Sequence, residues 1–301
     1  MRTEVRPPLG RNYDVDGLRL WAHKSGGGTP AVVFLPGAGA VGMDYLRLQE
    51  GAAGLATSVI YDRAGTGWSE RVDLPRTSTQ ATDELRAMLG VMDVPGPYVL
   101  VGHSLGGLYA RHYAQRFPSE VSGLVMLDPA HEDYQAYMPK ELVERWEAWD
   151  ADDAFPDELP DEVVQFYRGL FGAELRDWPE ETREPLVDGH VSESWLRVGF
   201  DEAKNVEELY DEVRGAGPLP DVPLIVLSSS EVDPFKQAVS QGIPEEALRQ
   251  EIEGKNRLYT AFAQTVPRGE MRPVEGAGHV TITYRGTGAV LQAIRDVLGN
   301  S

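Results

Sequence analysis

Residues 98–108 read Tyr-Val-Leu-Val-Gly-His-Ser-Leu-Gly-Gly-Leu. The apolar run Tyr98–Val101 predicts a buried strand, and the spacing from Leu108 to Phe117 predicts a helix. Between them stands Ser104, with Gly102 and Gly106 two positions away on either side. A strand that becomes a helix within one residue needs a strained backbone at the turn. Small neighbours keep that turn free of collisions, and the hydroxyl is left exposed above a sheet. The pattern is G-x-S-x-G with a strand before it and a helix after it, the context in which a serine serves as a nucleophile.

The flanking sequence repeats the strand–helix alternation. A hairpin is expected over 12–24 with its turn at Val15-Asp16-Gly17, and strands at Ala31–Leu35, Thr57–Tyr61, Val121–Leu127, Pro223–Leu227 and Met271–Val274. Helices are expected over Ser78–Leu89, capped by Ser78 or Thr79, over Pro244–Phe262 and over Thr287–Leu298. Continuous apolar strands between helices imply an α/β fold, a mostly parallel sheet with helices on both faces.

Residues 134–218 interrupt this order. No strand is evident there, and segments such as Glu141–Trp149 and Asp161–Tyr167 have amphipathic helical spacing. Four of the six tryptophans fall in it: Trp146, Trp149, Trp178 and Trp195. The segment reads as a helical cap inserted into a core made of 1–133 and 219–301. Residues 131–220 hold 25 acidic against 8 basic side chains, so this region carries most of the net charge of -20. That charge repels phosphate backbones and anionic membranes, so neither nucleic acid nor a lipid surface is an expected partner. A small, largely apolar and not strongly anionic substrate is.

The 301 residues include no cysteine, which excludes disulfides, thiolate metal sites and a cysteine nucleophile. The six histidines lack metal-binding spacing, so no metal and no cofactor is expected. No apolar run reaches signal-peptide or membrane-spanning length, and a cytoplasmic location is the expectation.

A serine needs a base to take its proton. His279, in Gly276-Ala-Gly-His279 after the last short strand, is the expected base. His131 is its rival; His103 adjoins the serine and is expected to point elsewhere. Asp233, in Ser230-Glu-Val-Asp-Pro234, is the expected acid that orients the base, which puts the three residues in the order serine, acid, histidine. Asp128, in Leu127-Asp-Pro129, is the alternative acid, with Glu231 behind it. The N–H groups of Leu105 and of Ala38, in Pro36-Gly-Ala-Gly-Ala40, are the expected oxyanion donors.

Together, Gly102–Gly106, Pro36–Gly39, Asp62-Arg-Ala-Gly-Thr-Gly-Trp-Ser69, Glu231–Pro234 and Gly276–His279 make the chain resemble the capped, serine-nucleophile branch of the α/β-hydrolase superfamily over about residues 12–298. Two departures stand out. Pro36-Gly37 replaces the usual His-Gly, and Ser228-Ser229-Ser230 replaces the glycine common before the acid loop. A serine where dehalogenases and epoxide hydrolases carry aspartate argues against those chemistries. The expectation is a serine hydrolase cleaving a carboxylic ester or lactone through an acyl-enzyme. Thioester or C–C hydrolysis, perhydrolysis, acyl transfer or cyclisation use the same residues, and a non-catalytic ligand receptor is the remaining alternative.

Overall fold

Eight strands form one sheet in the order β1-β2-β4-β3-β5-β6-β7-β8. They are β1 (Arg11–Val15), β2 (Leu18–Ser25), β3 (Ala31–Leu35), β4 (Ser58–Tyr61), β5 (Tyr98–His103), β6 (Val121–Leu127), β7 (Leu224–Ser229) and β8 (Gly269–Val274). β2 runs antiparallel to both its neighbours, and every other pair is parallel. The structure, a computed structural model, describes residues 6–147 and 160–299, without the side chains of Trp146 and Glu147.

The central strands are largely apolar because both faces are covered. Val33, Leu35, Leu100, Leu124 and Met126 point to one face, under the helices Ser78–Val91, Leu105–Arg116 and Glu245–Ala263. Val32, Phe34, Val99, Val101, Val125 and Leu127 point to the other, against Leu46–Ala53 and Thr287–Gly299. This is the period of two expected of a pleated strand. The β1–β2 turn is Asp16-Gly17, both at positive φ, as a two-residue hairpin loop requires.

The helix Ser78–Val91 is capped by Thr77, not by Ser78 or Thr79. Thr77 accepts from the Gln80 N–H, and the Gln80 side chain answers on the Thr77 N–H. Ser78 and Thr79 instead give their N–H groups to Glu212. The helix after Ser104 begins at once, at Leu105 rather than Leu108.

Between β6 and β7 the described residues form helices, among them Asp161–Glu174, Glu180–His190, Glu193–Ala203 and Val206–Gly215. Of the tryptophans expected there, Trp178 and Trp195 are buried. The side chain of Trp146 and all of Trp149 lie outside the described residues. Parallel strands end on a common edge, so the loops after β3, β5, β6, β7 and β8 collect there, which is where open α/β sheets place ligands.

Candidate active site

Ser104 joins β5 to the helix Leu105–Arg116 at φ 50° and ψ -122°. Only close packing holds a non-glycine residue in that conformation. A Cβ on Gly102 would lie 2.6 Å from the Gly107 Cα, and one on Gly106 would strike the Leu35 carbonyl. Glycine at both places lets the helix start directly against β3 and β5.

His279 projects from the loop after β8. Its Nδ1 lies 2.6 Å from Asp128 Oδ2, and its Nε2 lies 3.1 Å from Ser104 Oγ. With Nδ1–H donating to the carboxylate, Nε2 is left as an acceptor facing the Ser104 hydroxyl. Asp128 follows β6 at φ 44° and is 1% exposed. Its Oδ1 accepts from the Ser229 N–H at 3.1 Å, and the Lys255 ammonium reaches both oxygens. Burial alone pushes this carboxyl up; Lys255 and His279 outweigh burial and hold it far below the usual carboxylate range.

Asp233, the acid expected from sequence, is not beside the imidazole. Its Oδ1 caps the helix Pro234–Val239 through the Lys236 N–H. Its Oδ2 accepts the N–H groups of Val280 and Thr281 at 2.8 and 3.0 Å. It therefore anchors the backbone of the histidine loop, while Asp128 faces the ring. The unusual Ser228–Ser230 run is part of the reason. The Ser229 N–H bonds Asp128, and Ser229 Oγ bonds Lys255, so the end of β7 is built around the Asp128 carboxylate.

His103 turns away from the hydroxyl as expected, yet it is not idle. Its ring lies 5.1 Å from that of His279, and its Nε2–H donates to the His279 carbonyl at 2.8 Å. Its Nδ1 accepts from Tyr45 Oη, which in turn accepts the Gly37 N–H. Burial, helped by His279, pushes the His103 imidazole down to about 4, so it stays neutral with one N–H, as this chain of bonds needs. The relay ties the turn after β3 to the histidine loop. His131 is committed elsewhere, accepting from the Asp133 N–H and meeting Arg111. His131, Glu132 and Asp133 offer clustered ligand atoms, but Arg111 takes both Glu132 oxygens, which leaves a poor cation site.

In the turn after β3, Pro36 has no N–H, Gly37 donates to Tyr45, Gly39 donates to Glu202 Oε2, and Ala40 donates to the Gly37 carbonyl. Among the described residues, the N–H groups of Ala38 and Leu105 carry no hydrogen bond. The turn is clamped from outside. Arg63 Nη1 and Nη2 bond the Pro36 and Gly37 carbonyls, and Glu202 holds Arg63 at 2.7 Å, with both side chains buried. Glu202 lies on the helix Glu193–Ala203, between β6 and β7. That helix also brings Gly199 against Gly39, where a Cβ on Gly39 would sit 2.9 Å from the Gly199 Cα. Sequence reading found Arg63 only inside a motif and gave no sign of Glu202, because the two lie 139 residues apart in the chain and meet only in the folded protein.

Ser104 stands between two chambers. The smaller, about 220 Å³, is walled by Asp44, Tyr45, His190, Trp195 and Tyr284. The larger, about 690 Å³, is walled mainly by apolar groups including Phe200, Tyr210, Val239, Leu248 and Ile252. Ala38, Phe171, Leu196, Gly199, Phe235 and His279 line both. Among the described residues no helix is long and apolar enough to cross a membrane.

The family model described as "Alpha/beta hydrolase family" matches residues 32–292, and the chain belongs to that family. An uncharacterized protein of Schizosaccharomyces pombe is 44% identical over 69 residues, 23% of this chain and 13% of that protein. The (lyso)-N-acylphosphatidylethanolamine lipase of Mus musculus is 34% identical over 105 residues, 34% of this chain and 30% of that protein. The chain thus spans well under two thirds of the curated relatives it matches. The crystal structure of Cfl2 from Burkholderia cenocepacia superposes with a TM-score of 0.69 at 18% identity, covering 95% of this chain and 94% of that one.

Proposed function

We propose that the protein is a serine hydrolase that cleaves a carboxylic ester or lactone through an acyl-enzyme on Ser104. The observation that carries this reading is the continuous path from Ser104 Oγ through His279 to the buried Asp128 carboxylate. Ser104 Oγ attacks the carbonyl carbon as His279 Nε2 takes its proton. The unpartnered N–H groups of Ala38 and Leu105 receive the charge that develops on the carbonyl oxygen. The tetrahedral intermediate collapses as His279 returns the proton to the departing alkoxide. Water, deprotonated by His279, then releases the acid from Ser104.

Two chambers meeting at Ser104 suit a substrate with a compact part on one side of the carbonyl and a bulkier apolar part on the other. A matched relative that bears the name lipase supports ester cleavage. The test is labelling by a fluorophosphonate probe together with turnover of a panel of neutral esters, lactones, thioesters and diketones. Ser104 labelled and esters or lactones turned over fastest is the expected result. An unlabelled, inert protein would turn the reading towards ligand binding.

The inserted helix enters this chemistry through Glu202. Replacing Glu202 with Gln leaves the Arg63 charge buried without its partner and loosens the turn that presents Ala38. The expected outcome is a lower thermal midpoint and a fall in kcat of about 10- to 100-fold, less than the loss of an oxyanion donor itself, with KM changing less. Steady-state kinetics and a melting curve measure both, and a wild-type kcat would show that the turn keeps its shape unaided.

A further inference from the structure

Lys255 is a charged group buried beside the reacting residues, and the mechanism above does not use it. It sits on the helix Glu245–Ala263 and is 7% exposed. A buried ammonium is costly to desolvate unless every N–H is bonded. Here all three are: to Asp128 Oδ1 at 3.0 Å, to Asp128 Oδ2 at 2.8 Å and to Ser229 Oγ at 2.8 Å. Lys255 borders the larger chamber, yet no N–H remains for a substrate.

Asp128 Oδ2 therefore serves two partners, the Lys255 ammonium and the His279 imidazole. Among the described residues, the other titratable groups nearby make no hydrogen bond to this carboxylate. Glu251, one turn earlier on the same helix, pairs with Lys236 and accepts from Tyr134. Asp233 is spent on the backbone of the histidine loop. His103, which burial keeps neutral, donates to the His279 carbonyl and lies with its ring 5.1 Å from the His279 ring. Glu231, on the loop after β7, borders the larger chamber. Lys255 is thus the cation in contact with Asp128.

We propose that Lys255 is a positioning residue that shares Asp128 Oδ2 with His279 and so weakens the hold of Asp128 on protonated His279, which then gives its proton back readily. The physical reason is that a fixed positive charge on the far side of the carboxylate opposes a second positive charge on the imidazole. The proposal rests on the Ser104–His279–Asp128 reading of the site.

Lys255→Met removes the charge, and Lys255→Gln removes it while keeping polar contacts to Asp128 and Ser229. In both, the acid limb of the kcat/KM profile is expected to move to higher pH by about one unit, with the high-pH plateau reduced less than about tenfold. Lys255→Arg keeps the charge and should leave the limb in place. The titration midpoint of the His279 ring, followed by NMR, should move the same way without any substrate. That separates failure of this proposal from failure of the ester reading, which the fluorophosphonate probe tests on the wild type. An unmoved midpoint in a folded Met or Gln variant overturns the proposal, as does a loss of activity that is equal at every pH. If neither neutral variant folds while the Arg variant does, the charge serves stability alone and the proposal is likewise overturned.

Discussion

Under the proposed mechanism, Ser104→Ala is expected to abolish ester turnover, with kcat falling about 10⁶-fold. Nothing else in the described site can form the covalent bond. His279 and Asp128 would keep their contact, and the Ala38 and Leu105 N–H groups would still bind a carbonyl oxygen, so substrate affinity should persist. Stability should be close to wild type, because among the described residues the Ser104 hydroxyl bonds only to His279. The strained φ of 50° stays with alanine and is held by the glycines around it. Kinetics with a melting curve decide this, and substantial activity in the folded variant would remove Ser104 from the mechanism.

The second large effect separates the two aspartates. Asp128→Asn should lower kcat by about 10⁴-fold, because an amide can donate to His279 Nδ1 and hold the wrong tautomer. It also strips Lys255 of its counter-charge, a loss that costs about 3–5 kcal/mol when one partner of a buried pair is removed. The melting temperature should therefore fall together with the rate. The depressed titration of Asp128 adds stability that is present above the unfolded carboxyl range, about pH 4, and is lost as pH falls below it. The variant lacks that contribution. Asp233→Asn should disturb the cap and the Val280 and Thr281 anchors, lowering stability with a kcat loss below about 100-fold. A reversed order, with Asp233→Asn the more damaging to kcat, would return the acid role to Asp233.

The exchange of Asp233 for Asp128 shows where sequence reading stopped. Both aspartates follow a sheet strand, both precede a proline, and either fits an order of serine, acid and histidine. What distinguishes them is which carboxylate the His279 ring meets, 151 residues along the chain from Asp128. The Ser228–Ser230 run marked the acid loop as unusual but could not say that Ser229 would serve Asp128 and Lys255. Lys255 falls within Pro244–Phe262, a stretch that sequence reading took only as a helix.

The sequence alone determined what depends on neighbours along the chain. Alternating apolar strands dictate a sheet covered on both faces, and Asp16-Gly17 dictates its hairpin. Gly102 and Gly106 dictate the turn that exposes Ser104, because only local sterics decide whether such a backbone can exist. Tertiary structure alone decided the partners: Asp128 for His279, His103 for the histidine loop, Glu202 for Arg63, and Lys255 for Asp128. Those pairs join groups far apart in the chain, and each forms because a buried charge or N–H must be satisfied by whatever the folded interior brings within about 3 Å.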